Sequence, residues 1–474
     1  NNWTPNEVPN SNSKVIIPNG LTNYPTISYE SEINSIEVAS DATLVSPKTV
    51  ITSDEKVLFK RNLPTTNWYL LGAPVEGETI EDIIANHTLA TGTGSNIGIA
   101  PYSNAVGAPW LFANTNSTGA LLLGQGISVK LSTPGDVSIT GNVTSSDVSL
   151  PINTGSRNNF NLLGNPYTSY INSSVITANN AGILSEQTVW LWDGSQYVTY
   201  NNTNSIEIAP AQGFFVDAIS DNNFEYEASS RSHQNTDTFK KQVSHSSFEL
   251  FIENGNNKRG TKVFYIDGKT TGFDNGYDSK IFDGVANNFG VYTELLTDSE
   301  GKKLAIQTLP NSGLQNMVIP VGVNATANQE ITFSLRTNNF FNNMQVLLED
   351  RFTNTFTRLD EVDSNYTIVL EDNLNNTGRF YIHTNSKSVL STESVNLNNV
   401  SIYKSVNNTL LVNGLQSDNA TIQLFTVTGK QVLNTSFKSA GTTEVKETMN
   451  LSSGVYIVKL QTNEGVKTKK IILN

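Results

Sequence analysis

Apolar residues along this chain come in short runs, and the runs are separated by Asn, Gly, Ser and Pro. Short β-branched and aromatic runs suit half-buried strands, and those separators are turn formers. Residues 1–60 hold Val15-Ile16-Ile17, Ser35-Ile36-Glu37-Val38, Thr43-Leu44-Val45 and Thr49-Val50-Ile51, divided by Pro18-Asn19-Gly20 and Ser40-Asp41. Runs this short and close suit a rung or two of a β-solenoid as well as an edge hairpin. The expectation is a solenoid-like remnant. One stretch alone reads as helix, Thr79 to Ala85, with Ile80, Ile83 and Ile84 on one side. Its Glu78, Glu81 and Asp82 suit a helix N-terminus.

An internal repeat follows. Asn67-Trp68-Tyr69-Leu70-Leu71-Gly72-Ala73-Pro74 recurs as Asn159-Phe160-Asn161-Leu162-Leu163-Gly164-Asn165-Pro166. Each copy reaches an aromatic strand, Trp110-Leu111-Phe112 or Trp190-Leu191-Trp192. Each closes on a Gln-Gly strand, Gly124-Gln125-Gly126-Ile127 or Ala211-Gln212-Gly213-Phe214. The period of about 90 residues is too long for a solenoid rung, so each copy is half of a β-domain or a small domain. Gln-Gly entering a β run suits a bulge or a close backbone approach. The repeated module spans 61–228, with copies at 66–131 and 158–218. A polar stretch from Ala228 to Gln242 reads as a crossing segment. Residues 246–384 carry about eight closely spaced strands, the mark of a sandwich. Residues 385–396 are small and polar and read as a linker; 397–474 form a compact unit with a tight turn at Thr428-Gly429-Lys430. The fold class is therefore all-β: tandem β-sandwich domains, a short N-terminal solenoid-like segment and a C-terminal immunoglobulin-like sandwich.

Composition narrows the functional classes. With 9% aromatic and only 15% charged residues the chain is not of the disordered type. A net charge of −13 disfavours nucleic acid and an anionic membrane face. The absence of cysteine excludes disulfides, thiolate catalysis and Cys-ligated zinc. No apolar run approaches the roughly 20 residues of a membrane helix. The chain starts at Asn1 without a signal-peptide pattern, which suggests a processed product or a piece of something longer.

The last strands add the most specific signal. Ala420 to Val432 forms a strand and turn through Gly429 and Lys430. Met449-Asn450-Leu451-Ser452-Ser453 then leads into Gly454-Val455-Tyr456-Ile457-Val458-Lys459-Leu460, and the chain closes on Lys469-Lys470-Ile471-Ile472. This order resembles the C-terminal sorting domains of the type IX secretion system of Bacteroidetes. The resemblance makes Gly429, Lys430, Gly454, Val455, Tyr456, Lys469 and Lys470 the sorting-signal residues. It implies export through the periplasm to the outer surface or medium. It also implies partnership with the translocon and its shuttle and sortase components, and attachment to surface lipopolysaccharide after cleavage near 385–396. Many such domains open on a Tyr-Pro-Asn-Pro-like stretch, where this chain has Ile402-Tyr403-Lys404-Ser405. The middle resembles β-rich regions of large flavobacterial surface and adhesin-like proteins.

No residues group into a recognisable catalytic motif. His87, His233, His245 and His383 show neither His-Glu-x-x-His nor i,i+4 helical spacing. Gly92-Thr93-Gly94-Ser95-Asn96-Ile97-Gly98 misses the dinucleotide pattern and reads as a loop. Asp193 and Asp217 stand beside aromatics but read as strand ends. Asp267, Asp274, Asn275, Asp278 and Asp283 are rich enough in oxygen for Ca2+, with Asp274 and Asp278 the first candidates. The alternative there is a set of Asx turns. Trp110, Trp190, Trp192 and Tyr197 are candidates for a sugar-stacking platform, the alternative being a sandwich core. The sequence favours a non-enzymatic adhesive or structural surface protein. A carbohydrate-binding accessory module, and then a glycan hydrolase, are the alternatives.

Overall fold

The computed structural model describes residues 3–4, 6–52, 56–234, 245–255, 257–342, 344–386, 400–404, 409–415, 419–438, 441–445, 451–462 and 465–473. Strands dominate it, as the short apolar runs require. The chain divides into two compact units, Asn1–Gln242 and Val243–Asn474.

In the first unit Lys14–Ile17, Ser35–Val38 and Val57–Leu63 pair in parallel, so that Val15 lies beside Ile36 and Ile36 beside Val57. Ser31–Ile33 and Val50–Thr52 pair in parallel on a second wall. Parallel strands stacked at a regular sequence step are the geometry of solenoid rungs. Their inward residues Val15, Ile17, Ile36, Val38, Val57 and Phe59 do not form a core of their own. They share one with Leu71, Ile99, Ile127 and Val129 of the first repeat copy. Gly135–Gly141 pairs antiparallel with Val57–Leu63 and ends the stack on that side.

The repeat folds as one module with a pseudo-two-fold relation. Tyr69–Gly72 pairs with Gly126–Val129, and Phe160–Gly164 with Gly213–Asp217, so each copy joins its Leu-Leu-Gly strand to its Gln-Gly strand. The two copies then cross: Leu71 bridges Gln212 and Leu163 bridges Gln125. The Gly72 amide donates to Ala211 O at 2.9 Å and the Gly164 amide to Gly124 O at 2.8 Å. A Cβ on Gly72 would lie 2.6 Å from the Gly164 Cα, and one on Gly164 would lie 2.5 Å from the Gly72 Cα. Backbone touches backbone there, and only glycine permits it. The glutamines also have equivalent roles. The Gln125 side chain accepts from the Leu122 amide and that of Gln212 from the Ala209 amide, at 3.1 and 3.2 Å. The residue before each is left-handed, Gly124 at φ +75° and Ala211 at φ +59°.

The helix expected at Thr79 to Ala85 is present as Ile80–Asn86, and Thr79 Oγ1 caps it by accepting from the Asp82 amide at 3.1 Å. A second helix, Ser173–Asn179, was not expected. Its Val175-Ile176-Thr177 run carries β-branched side chains that favour strands. The Asn172 cap, and burial of Ile176 in the core of the second copy, decide for helix. The presumed crossing segment is also corrected over 228–234. Arg231–Ser232 is a strand on Tyr170–Asn172. The Arg231 guanidinium donates to the carbonyls of Ser46, Thr144 and Ser145. The remainder of that segment lies outside the described residues.

In the second unit a single sheet of eleven described strands carries the sandwich. From one edge its order is Thr355–Arg358, Met344–Asp350, Phe380–Ser386, Asn316–Asn324, Gly290–Thr293, Leu304–Leu309, Lys258–Tyr265, Ser246–Glu253, Glu330–Asn338 and Asn365–Val369, with Ser279–Lys280 beside Leu304–Leu309. The sheet folds over on itself. Phe333, near one end of that order, meets Phe380, near the other, with ring centroids 4.7 Å apart. The Tyr366 hydroxyl donates to Asp350 Oδ2 at 2.9 Å. Arg379 holds both oxygens of the buried Asp350 at 3.0 and 2.8 Å. His383 is half-buried and bonds Glu349 at 2.8 Å.

The tail has a three-stranded sheet, Ser401–Lys404, Leu410–Leu415 and Gly441–Val445, and a four-stranded sheet in the order Gln431–Phe437, Ala420–Thr426, Gly454–Thr462, Gly465–Leu473. Val412, Leu424, Val458 and Leu460 fill the space between. Of the expected linker, Asn385 and Ser386 end a strand and 387–396 lie outside the described residues.

Candidate functional site

The four aromatics singled out in the sequence converge, although they come from both repeat copies. Their hub is Phe215, fully buried at the crossing of the copies. Tyr102 lies edge-on to it at 4.7 Å, Tyr197 at 5.7 Å and Trp110 at 6.3 Å. Trp192 stands 5.0 Å from Tyr197 and donates its indole N–H to Trp68 O at 2.9 Å. Trp68 in turn tilts against Phe112. Edge-to-face contacts of this kind fix ring planes as well as burying area. Trp110, Trp192, Tyr197, Tyr102 and Trp68 are each half-buried, and Phe112 is 46% exposed. They form a cluster of rings packed on one another and each only partly exposed. Trp190 departs from the expected platform. It is wholly enclosed, edge-on to Phe160 at 5.1 Å, and serves as core. Tyr102, Phe215 and Trp68 were missed because no spacing rule links them to the others.

Beside Tyr102 lies a groove of about 260 Å3 lined by Asn104, Gln125, Asn153, Phe160 and Asn161. The Arg157 guanidinium sits over the Tyr102 ring at 5.2 Å. Burial raises the Tyr197 phenol above its ordinary value, with the nearby Tyr102 adding to the effect.

The other candidate side chains are held by hydrogen bonds. Asp278 is fully buried, and its two oxygens accept from the amides of Thr308 and Asp274, each at 2.6 Å. Asp274 Oδ2 accepts from the Thr270 amide at 2.7 Å. Two of these bonds tie the 270–278 loop to itself and the third ties it to the strand Leu304–Leu309. Among the described residues no group of three or more His, Cys, Asp or Glu is placed to hold a metal ion. Asp193 caps its own turn by accepting from the amides of Ser195 and Gln196, and Asp217 accepts from the Ser185 hydroxyl at a strand end. His87 accepts from the Ser138 amide through Nε2 at 2.8 Å, which leaves Nδ1 to donate to Ile83 O.

In the tail, Gly429 has φ +85° and makes the tight turn with Lys430, whose carbonyl accepts from the Thr426 amide. Gly454–Thr462 is an inner strand of its sheet, and Gly465–Leu473 pairs along its whole length. Tyr456 is buried and donates its hydroxyl to Ser452 O at 2.7 Å. Val455 pairs with Ile472 and Ile457 with Lys470. Ile472 is 56% exposed, so this outer face mixes apolar and basic groups. Lys469 points the other way, to Asp298 at 3.4 Å.

Residues 376–474 match the family of secretion system C-terminal sorting domains, and 193–384 match a domain of unknown function, DUF8693. The chain therefore carries an all-β body ending in a type IX sorting domain. It is a cargo of the type IX secretion system of Bacteroidetes, exported to the cell surface or the extracellular space. Export entails interaction with the machinery of that system. Among the described residues no helix is long and apolar enough to cross a membrane. No curated protein matches the chain. Two solved structures align loosely. The BSP domain of a biofilm-associated protein is 9% identical over 88% of this chain and 92% of its own, with a TM-score of 0.16. PorZ, a surface component of the type IX system of Porphyromonas gingivalis, is 9% identical over 76% of this chain and 65% of its own, with a TM-score of 0.11. Superpositions this loose carry no argument about fold or role.

Proposed function

We propose that this cargo is a non-catalytic adhesive protein of the cell surface, and that the aromatic cluster makes its contacts with extracellular glycan. The cluster carries the reading. Rings clamped through Phe215 cost little conformational entropy when a flat apolar sugar face stacks on them. The adjoining groove is lined by amide side chains held in place by bonds to one another and to backbone. Asp193, Asp217, Asp274 and Asp278 accept hydrogen bonds that fix loops and strand ends, His87 bonds backbone and His383 pairs with Glu349, which supports a binding role over a hydrolytic one. A carbohydrate-binding accessory role in polysaccharide breakdown is the second reading, favoured by the amide-lined groove beside Tyr102. Surface lipopolysaccharide is the glycan closest to hand for a protein delivered by this route.

A glycan array with the full chain tests the proposal. Binding is expected and should fall at least tenfold in Trp110→Ala and Trp192→Ala, with the thermal transition retained. Binding that survives both substitutions would remove the cluster from the account. Strong preference for one defined polysaccharide would favour the accessory reading, and turnover of any polymer would overturn the non-catalytic one.

A further inference from the structure

The tail and the sandwich meet through a buried polar relay. Asn413, on Leu410–Leu415 of the tail, is 1% exposed. Its amide donates to Thr377 Oγ1 at 2.6 Å and its carbonyl accepts from the Tyr381 hydroxyl at 3.3 Å. The Thr377 hydroxyl donates in turn to Glu294 Oε1 at 3.0 Å, and the Ser299 hydroxyl to Glu294 Oε2 at 3.1 Å. Glu294, Ser299, Thr377 and Tyr381 are all buried. Burial raises the Glu294 carboxyl, against the pull of the Thr377 and Ser299 hydroxyls. Tyr403 of the tail is 8% exposed, and its ring covers Gly301, whose φ of +76° bends the sandwich loop beneath it. Lys469 closes the rim on Asp298. The two family matches overlap at 376–384, the segment that supplies Thr377 and Tyr381.

A joint of this kind differs from a flexible tether. If the tail moved away in part, the bonds of the Asn413 amide to Thr377 and Tyr381 would be lost from a buried site, while Thr377 and Ser299 would keep theirs to Glu294, so partial opening is costly. We propose that the sorting domain is a bound ligand of its own cargo: Asn413 and Tyr403 fill a socket made by Glu294, Ser299, Gly301, Thr377 and Tyr381. Cutting the chain within 387–399 then does not by itself release the tail. The face that carries Val455, Ile457, Lys470 and Ile472 lies outside the socket and stays open to the export machinery. Removal of the tail from the mature protein requires the socket to open as a second step.

The test is a specific protease site inserted within 388–398 of the full chain. After complete cleavage, gel filtration over a dilution series reads the association. The tail is expected to co-elute with the body at micromolar concentration and to separate only in denaturant. Asn413→Ala, and the near-isosteric Thr377→Val on the sandwich side, should each weaken retention at least tenfold. Thr421→Ala, on the distant sheet, should leave it unchanged. Thr377→Val leaves the tail itself untouched, so its effect cannot come from a misfolded tail. A cleaved tail that separates from the unsubstituted body at micromolar concentration overturns the proposal. Equal retention in all three variants does so too.

Discussion

Replacing Gly72 by alanine tests the central feature of the repeated module. Gly72 does not have a left-handed φ, so alanine meets no conformational barrier and gains slightly in strand propensity. The whole cost is steric. The new Cβ would lie 2.6 Å from Gly164 Cα and 3.4 Å from Gln125 O, both backbone atoms that cannot rotate away. Relief to ordinary contact needs the two strands to part by about 1 Å, and overpacking of this sort costs about 1–3 kcal/mol. Parting also stretches the bonds from Gly72 N to Ala211 O and from Gly164 N to Gly124 O. Each left unmade in a buried site adds about 1–3 kcal/mol. With both bonds lost outright the sum is about 3–9 kcal/mol for Gly72→Ala and the same for Gly164→Ala. The double variant should cost less than twice that, because the strands have already separated. All five tryptophans, Trp3, Trp68, Trp110, Trp190 and Trp192, lie in the first unit, so indole fluorescence in urea reports that unit alone. Gly182→Ala is the control, since a Cβ there meets nothing within 4 Å. If Gly72→Ala shifts the fluorescence transition no more than Gly182→Ala does, the close crossing of the copies is not what holds the module together.

Three further outcomes follow from the same coordinates. Ala211 occupies the left-handed position that Gly124 fills in the other copy, so Ala211→Gly should raise stability in the same fluorescence assay by up to about 1 kcal/mol. Arg379→Met should destabilise the sandwich by about 3–5 kcal/mol at pH 7, measured by urea titration with circular dichroism, because it strands the buried Asp350 carboxylate. Burial pushes the Asp350 carboxyl upward, but Arg379 and Tyr366 outweigh it and hold it below its ordinary value. The stability this contributes is present above the unfolded value of about 4 and is lost as pH falls through the folded one. The gap between wild type and Arg379→Met should therefore narrow toward pH 3. Asp278→Ala should cost about 2–4 kcal/mol by leaving the Thr308 and Asp274 amides unbonded. The unsubstituted protein should melt at the same temperature in calcium and in chelator, and a calcium-dependent rise would reinstate a metal site at Asp274 and Asp278.

Alternation and turn residues were enough to read an all-β chain, and three ordered landmarks to read an internal duplication, whereas the sorting tail was legible only through its resemblance to a known family. The first two features depend on neighbours in sequence, and local chemistry encodes them directly. The helix at Ile80–Asn86 was legible for the same reason, through its Thr79 cap and isoleucine spacing. The helix at Ser173–Asn179 was not, because β-branched side chains favour strand until burial of Ile176 against the second core overrides them. Which aromatics are enclosed and which stay partly exposed was equally hidden. Trp190 and Trp192 are two residues apart, yet one is enclosed and the other lies in the cluster, because strand pairing with Phe215 places Trp190 inside. The socket around Glu294 was hidden most completely. Its members come from separate strands and loops of two sheets, and nothing in the local pattern marks Thr377 or Asn413 as partners. Short-range periodicity determined the elements of this protein, whereas contacts between residues distant in sequence decided which copies fuse, which rings are exposed and where the tail is seated.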